Sequence, residues 1–568
     1  MSTQSTRGVR FQSEVRALAR PEKKRTAGSG DARLFVQPVV RHHGDEFDLD
    51  EVANPEGHLC VAPIRDYVDK VPQKWDVDEP GRNKEPANPH NQTGPLVEDA
   101  IPVVTTNDFW SYLAAFDKRS NSQPPTSDDI SPEQLKEALS LVASVDASSC
   151  NWPLWEETET ERSRWMAKFS PNKQDRMSKA LNSLLDIEDY RSLGWKTLSV
   201  KRESLLKRYD PKWAPRLIYA GTDEFNTLTG PAIMILMERI VELFSKEKIG
   251  PLNIKLAYKC DDVALAEFIC DPAYPHIAEG DFSANDLRQR RSVAVIFDAW
   301  LAKFAMPQWL RKLFLGCIDF QVSNNTFGHT ASLSNQLPTG TTITTPRNSL
   351  YNGTMEACYA VRSGNTGKCI ILGDDFLGAL KKKVDKDDWE HYISLFGMKL
   401  TAAIPDNWAA STIISRRICE YTDSRPCMMP KLGKALARFN VRVSQQSGVS
   451  DSAYMAGKAL SYAYEFRHFP IFRDMFLNRF KSEPDRAHVS VDEVSWFTRT
   501  SGVDLEKLSA AILSEPILIS DDNTREMLMD AYGYTFGLED AREFACRIIE
   551  HTDLSIVPMP HELRIDVD

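Results

Sequence analysis

The sequence predicts an α+β fold built on a small antiparallel sheet. Three observations carry that expectation. Apolar periodicity resumes near residue 103 and runs almost to the C-terminus, no internal repeat or low-complexity stretch interrupts it, and the segment 271–396 reads strand, helix, helix, hairpin, helix. With 42% hydrophobic residues, 12 Trp and 26 Phe among 568 positions, the chain can bury a large core divided into subdomains.

Taken in order, residues 1–43 hold Arg7, Arg10, Arg16, Arg20, Lys23, Lys24 and Arg25 against few acids and read as a flexible basic arm. Residues 44–103 turn acidic and proline-rich through Asp45, Glu46, Asp48, Asp50 and Glu51, the composition of a wrapping segment or linker. The run from Pro231 to Phe244 reads as a helix with proline in its first turn, where the missing N–H costs little. The segment ending Gly280, Asp281, Phe282, Ser283 reads as a strand giving way to a helix near Asp286. Thr344 to about Ala360 suits a second helix with Pro346 near its start. Lys368 to Leu380 reads as two apolar strands around an acidic turn, and Asp385 to Phe396 as a short amphipathic helix.

Composition excludes several classes. A formal net charge of -11 argues against a uniformly basic nucleic-acid coat while leaving room for a local basic channel. Ten cysteines without a C-x-x-C pair give neither a disulfide framework nor a zinc ribbon, and lead to the expectation of a reducing, intracellular setting. No apolar run reaches the ~18 residues needed to span a bilayer, no signal-peptide core is apparent, and membrane contact is expected to be peripheral at most. No Gly-x4-Gly-Lys-[Ser/Thr] phosphate loop and no protease pattern is present.

Three constellations carry chemistry. Asp374 and Asp375 sit together between apolar strands, which is electrostatically costly unless a cation neutralises them, and Gly373 before them permits a tight turn. Asp281 closes a strand, with Asp286 five residues on; Asp286 alone also suits a helix N-cap. Asp281 and Asp374 side by side could bridge two Mg²⁺ ions. Thr339 and Gly340 open a loop that runs into a helix where Thr344 and Asn348, four apart, share one face. Their hydroxyl and amide groups near an acid could read a ribose 2′-hydroxyl, or could be a capping and turn cluster.

The ordered set, D-x4-D at Asp281 and Asp286, [ST]-G-x3-T-x3-N-S from Thr339 to Ser349, and G-D-D from Gly373 to Asp375, resembles motifs A, B and C of viral RNA-dependent RNA polymerases. Lys212 to Ile218, reading K-W-A-P-R-L-I, looks like the basic motif F in a form similar to that of tombusvirus-like and nodavirus-like polymerases, with Trp213 where that form has Pro. Phe396 to Lys399 is similar to motif D, and Thr412 to Arg417 to motif E. The resemblance covers about residues 200–440, and Thr339 stands where Ser is usual.

The resemblance implies a right-hand polymerase fold of fingers, palm and thumb with an antiparallel palm sheet. The fingers would occupy mainly 104–270, the palm 271–425 with a fingers insertion near 305–335, and the thumb 426–568. It also implies RNA-directed RNA synthesis from NTPs during replication and transcription of a viral RNA genome. Asp281, Asp374 and Asp375 would hold two Mg²⁺ ions, with Mn²⁺ able to substitute. Asp286 and Asn348, with Thr339, Gly340 and Thr344 beside them, would bind the incoming NTP. Lys212 and Arg216 would clamp its triphosphate, with Lys207 competing for the lysine's role, and Lys399 would protonate the leaving pyrophosphate. Arg416, Arg417, Lys434 and Arg438 would touch RNA, the first two being equally suited to a solvated strand edge. Lys431, Lys434, Arg438 and Arg442 are equally suited to an amphipathic element facing water. The basic arm would be a solvated tail or a loose RNA contact. Implied partners are RNA template and nascent RNA, NTPs and other viral replication or capsid proteins. The implied location is the host-cell cytoplasm, in a replication complex or virion. A reverse transcriptase is disfavoured by the polar groups of Asp286 and Asn348, which would welcome a 2′-hydroxyl. A catalytically silent RNA-binding or capsid-associated protein is disfavoured by the intact acids.

Overall fold

The computed structural model of the chain describes residues 58–59, 67–75, 91–98, 100, 102–105, 107–121, 129–155, 159–184, 193–201, 204–206, 214–422, 424–442, 449–488, 510, 512–514 and 516–566. The expected basic arm and most of the expected acidic segment lie outside the described residues.

The long helix α1 (Asp223–Lys246) starts well before Pro231, which lies inside it and not in its first turn. Its start is set by the Thr222 side chain, which accepts the Phe225 N–H, and by Asp223 and Glu224 in the first turn, where acids meet the positive helix end. An interior proline costs about 3 kcal/mol. Burial of Ile233, Leu236, Met237, Ile240 and Leu243 along the same helix offsets that cost.

α1 leads into β1 (Leu252–Leu256), β2 (His276–Phe282), the helix α2 (Arg291–Lys303), the helix α3 (Thr344–Ser363), β3 (Gly367–Leu372), β4 (Asp375–Leu380), the helix α4 (Lys386–Ser394) and β5 (Leu400–Ala403). The five strands form one sheet in the order β5-β2-β4-β3-β1. It is mixed, not wholly antiparallel: β3 and β1 run parallel while the other pairs are antiparallel. β1 and β3 are far apart in sequence, and only a long connection of that kind allows parallel pairing. β1 also lies upstream of residue 271, where the sheet was expected to begin.

The sheet is covered on both faces, as its near-continuous apolar strands require. Ile371, Phe376 and Leu400 face a core built with α1, α2, α3 and α4, including Trp300, Tyr351 and Trp389. Ile277, Ile370 and Leu377 face a second core with the helix Asp262–Ile269 and the strands Arg416–Cys419 and Cys427–Pro430. A separate five-stranded sheet takes Phe320–Asn324 and His329–Leu333 out of the central body and pairs them with Trp195–Val200 and Gln73–Trp75, with Leu217–Gly221 at its edge.

Beyond Pro430 the chain is mainly helical, with Leu432–Phe439, Asp451–Glu465, Pro470–Ser482, Asp521–Tyr532 and Leu538–Ile549 around a core containing Phe439, Phe466, Phe476 and Phe544. Two short pieces of the N-terminal region join it: Asn91–Gln92 pairs with Val441–Arg442, and Leu96–Val97 with Ile556–Val557. Among the described residues no helix is long and apolar enough to cross a membrane.

Candidate active site

The Gly-Asp-Asp triplet forms a two-residue hairpin turn, with Leu372 paired to Asp375 across it. Gly373 has φ +66°, the left-handed value expected at the first central residue of a type II′ turn. A Cβ there would meet nothing within 4 Å, so glycine is required for its backbone angle and not for space.

β2 places Asp281 beside this turn. Gly280 pairs with Phe376, and continuing the register by one residue sets Asp281 opposite Asp375, on the same face as Glu279. The electrostatics agree with that placement. Burial raises the Asp374 carboxyl above the usual range, with Asp286 and Asp281 adding to the shift and Arg216 opposing it. Burial likewise pushes Asp375 up to about 7, reinforced by Asp374, Asp281 and Glu279 and opposed by Lys434. Three expected acids therefore feel one another. Glu279 is a fourth that sequence reasoning missed, although two-residue alternation from Asp281 pointed to it. Its carboxylate accepts the Thr412 N–H at 2.8 Å and the Thr412 hydroxyl, tying β2 to the strand Thr412–Ile413.

Asp286 is not an N-cap. It lies within the short helix Asn285–Arg288, whose preceding residue Ala284 takes a left-handed φ of 54° without a side-chain cap. Its carboxylate instead accepts the Thr339 hydroxyl and, at 3.0 Å, the Asn348 amide. Thr339, Asp286 and Asn348 are thus brought into one cluster, and the buried Asn348 Oδ1 has no partner. Gly340, at φ +91°, makes the turn between Thr339 and α3. Thr344 donates to the Pro338 carbonyl at 3.2 Å and lies 3.3 Å from the Thr341 hydroxyl, contacts that belong to a turn.

The basic residues divide. Lys212 lies outside the described residues, as does Lys207. Arg216 is exposed just before Leu217–Gly221 and acts electrostatically on Asp374. Lys399 is exposed, and its carbonyl accepts the Ser283 N–H at 2.9 Å, which keeps it at the end of β2 that bears Asp281. Arg416 and Arg417 are buried, not at a solvated edge: Arg416 pairs with Glu465 at 3.3 Å and Arg417 with Asp566 at 2.8 Å. Arg417 is therefore packed between the strand and the C-terminal segment. Arg442 is also buried, 2.7 Å from Asp451, and does not face water.

Lys434 and Arg438 line a cavity of about 160 Å³ with Ser415, Arg416, Lys431 and Glu465. At its rim Ile414 and Ser415 both have positive φ, 46° and 61°, in the two-residue turn between Thr412–Ile413 and Arg416–Cys419. That angle is strained for a β-branched isoleucine. Burial, with repulsion from Arg438 and Lys431, brings the Lys434 amine down to about 8 despite Asp566 and Asp375, so positive charge is crowded close to the acidic turn. Its amine donates to Ser415 Oγ at 2.9 Å.

α3 supplies further residues that sequence reasoning passed over. Arg347, fully buried, donates to the Gln289 side chain at 3.0 Å and to the Gln289 and Arg290 carbonyls at 2.7 and 3.0 Å, fixing the chain just after Asp286. Ser349 and Asn352 reach the turn itself. Only their spacing on one helix face gave a hint of this.

The donor set of Asp281, Asp374 and Asp375 consists of hard carboxylate oxygens, the ligands Mg²⁺ and Mn²⁺ prefer, and the burial, with mutual repulsion added, that raises two of these acids is what a divalent cation offsets. The residues fit such an ion in chemistry; among the described residues, no group of three or more His, Cys, Asp or Glu is already gathered tightly enough to hold one. Compared with known proteins, the chain matches no family model and no curated protein.

Proposed function

We propose that the chain is a viral RNA-directed RNA polymerase of right-hand architecture. Its palm would be the sheet β5-β2-β4-β3-β1, its fingers the upstream region with the excursion through residues 320–333, and its thumb the helices after Pro430. The observation that carries the reading is the arrangement of two adjoining clusters: Asp281 beside Asp374 and Asp375, and Asp286 held by Thr339 and Asn348.

Asp281, Asp374 and Asp375 would hold two Mg²⁺ ions, which when bound supply activation of the RNA 3′-hydroxyl and neutralisation of the triphosphate. In the transfer, the 3′-oxygen forms a bond to the α-phosphorus as the bond to the β-phosphate oxygen breaks. Asp286, released from part of its present hydrogen bonding, would accept from the ribose hydroxyl, and the unpartnered Asn348 Oδ1 offers a second acceptor. Arg216, with Lys212, would orient the triphosphate, and Lys399 would donate the proton that leaves with pyrophosphate. Lys434 and Arg438 would contact RNA phosphates beside the turn.

Purified protein given a short RNA template, NTPs and Mg²⁺ or Mn²⁺ is expected to extend RNA, and Asp374→Asn to abolish extension while leaving circular dichroism and melting behaviour intact. Extension retained in that variant would overturn the assignment. A catalytically silent RNA-binding protein is the second reading, favoured by Lys431, Lys434 and Arg438 gathered around one cavity. RNA binding without extension by the wild-type protein would establish it.

A further inference from the structure

The acids of the Gly373 turn can be productive only if the turn's backbone is fixed, and one helix face is devoted to fixing it. Ser349 is fully buried, and its hydroxyl oxygen accepts the Gly373 N–H at 2.8 Å. One turn further along α3, the buried Asn352 amide nitrogen lies 3.3 Å from each of the carbonyl oxygens of Gly373, Asp374 and Asp375. A single amide shared among three successive carbonyls holds the curvature of the whole turn where an ordinary cap would hold one group. Asn352 Oδ1, by contrast, is buried with no partner among the described residues. An unmet buried acceptor is destabilising, so packing alone would favour an apolar residue there. What the side chain contributes there is its donors.

The approach that makes this possible depends on Gly353. A Cβ at that position would come within 3.2 Å of Ile254 Cδ1 and 3.4 Å of Ile371 Cδ1, so glycine lets α3 lie close against β1 and β3. The same stretch of α3 holds Asp286 through Asn348 and the segment after it through Arg347. Both acid-bearing segments therefore take their positions from one rigid element.

We propose that Ser349 and Asn352 are positioning residues that set the backbone of the Gly373–Asp375 turn and, through it, the placement of the Asp374 and Asp375 carboxylates. The consequence for catalysis rests on the polymerase reading; the consequence for the turn does not.

The test uses the full chain with Ser349→Ala, Asn352→Ala and Asn352→Leu, the last keeping side-chain volume while removing the donors. Hydrogen exchange in the 373–375 segment is expected to speed up about tenfold in each variant, the equivalent of one lost hydrogen bond. Titration calorimetry with Mn²⁺ alone is expected to show affinity weakened about tenfold, as loss of support behind metal ligands does. In extension assays kcat should fall by a similar factor while KM for NTP stays within about twofold. Melting of Asn352→Leu should be no lower than that of Asn352→Ala, since both lose the donors and only the alanine leaves a cavity.

Unchanged exchange of the turn in folded variants would overturn the proposal. So would recovery of exchange protection and Mn²⁺ affinity in Asn352→Leu after their loss in Asn352→Ala, because that pattern marks a packing role. Faster exchange in every variant, with no extension by any protein including wild type, would uphold the positioning role and sink the polymerase reading alone.

Discussion

Glu356 shows how far burial alone can move a group in this protein. It lies fully inside the core on α3, receives the Trp389 indole N–H at 2.9 Å on one oxygen, and has no partner for the other. Burial pushes its carboxyl up to about 8, with the Trp389 hydrogen bond opposing the shift. Because the folded value lies above the unfolded one, folding favours the protonated form. The stabilising contribution is complete below the unfolded value and is lost as pH rises through about 8. Glu356→Gln, which keeps an acceptor for Trp389, is expected to flatten the fall in melting temperature between about pH 5 and 8. At the alkaline end it should stabilise by on the order of 2 kcal/mol, read by differential scanning calorimetry. A parallel fall in both proteins would show that Glu356 does not titrate there. In the cluster of Asp286 and Asn348, the proposed ribose contact predicts that Asp286→Ala or Asn348→Ala narrows the preference for NTP over dNTP by about tenfold, the worth of one good hydrogen bond. An unchanged ratio in single-nucleotide incorporation would place sugar recognition elsewhere.

At the scale of elements, the strand Arg416–Cys419 is held by the far end of the chain. Asp566 is buried and accepts from the Arg417 guanidinium at 2.8 Å, the Tyr532 hydroxyl at 2.8 Å and the Gly433 N–H at 2.9 Å. The Arg417 guanidinium also stands 4.8 Å over the Tyr532 ring. Removing one member strands a buried charge, so Asp566→Ala is expected to cost about 3–5 kcal/mol in urea unfolding. Loss below about 1 kcal/mol would mean that water replaces the carboxylate. Arg417 is singled out by the resemblance of Thr412 to Arg417 to motif E, and an arginine there carries the same local pattern whether its partner is a phosphate or a carboxylate 149 residues away. The α1 start was missed for a related reason, since Pro231 is a strong local signal and the cap at Thr222 a weaker one.

Across the whole molecule, charge is divided and not spread. The net charge is -11, yet Lys431, Lys434, Arg438 and Arg416 gather around one cavity in which Glu465 is the acid. If this is where an RNA strand runs, Lys434→Ala and Arg438→Ala should each weaken RNA binding similarly for unrelated sequences. Each should also reduce the slope of log affinity against log salt by about 1. Fluorescence anisotropy across a salt series decides this, and an unchanged slope would remove the cavity from the RNA path. The same cavity lies beside Asp375 in electrostatic terms, which links the helical region after Pro430 to the acidic turn. Residues 91–97 brace that helical region, pairing at one end with Val441–Arg442 and at the other with Ile556–Val557.

The sequence by itself determined the hairpin around Gly373, the strand that ends near Asp281, the helix that starts at Thr344 and the short helix after Asp385. Each is specified by local periodicity, turn chemistry or a cap within a few residues. The spacing of Asp281, Asp286, Thr339, Asn348 and Asp374 also allowed them to be singled out together. Only the tertiary structure decided which of them touch, that Glu279 joins the acids, that Arg417 turns inward, and that Ser349 and Asn352 lie under the turn. Those outcomes depend on strand register and on how closely a helix approaches a sheet. Both are fixed by contacts between residues far apart along the chain, for which a single sequence carries no local signal.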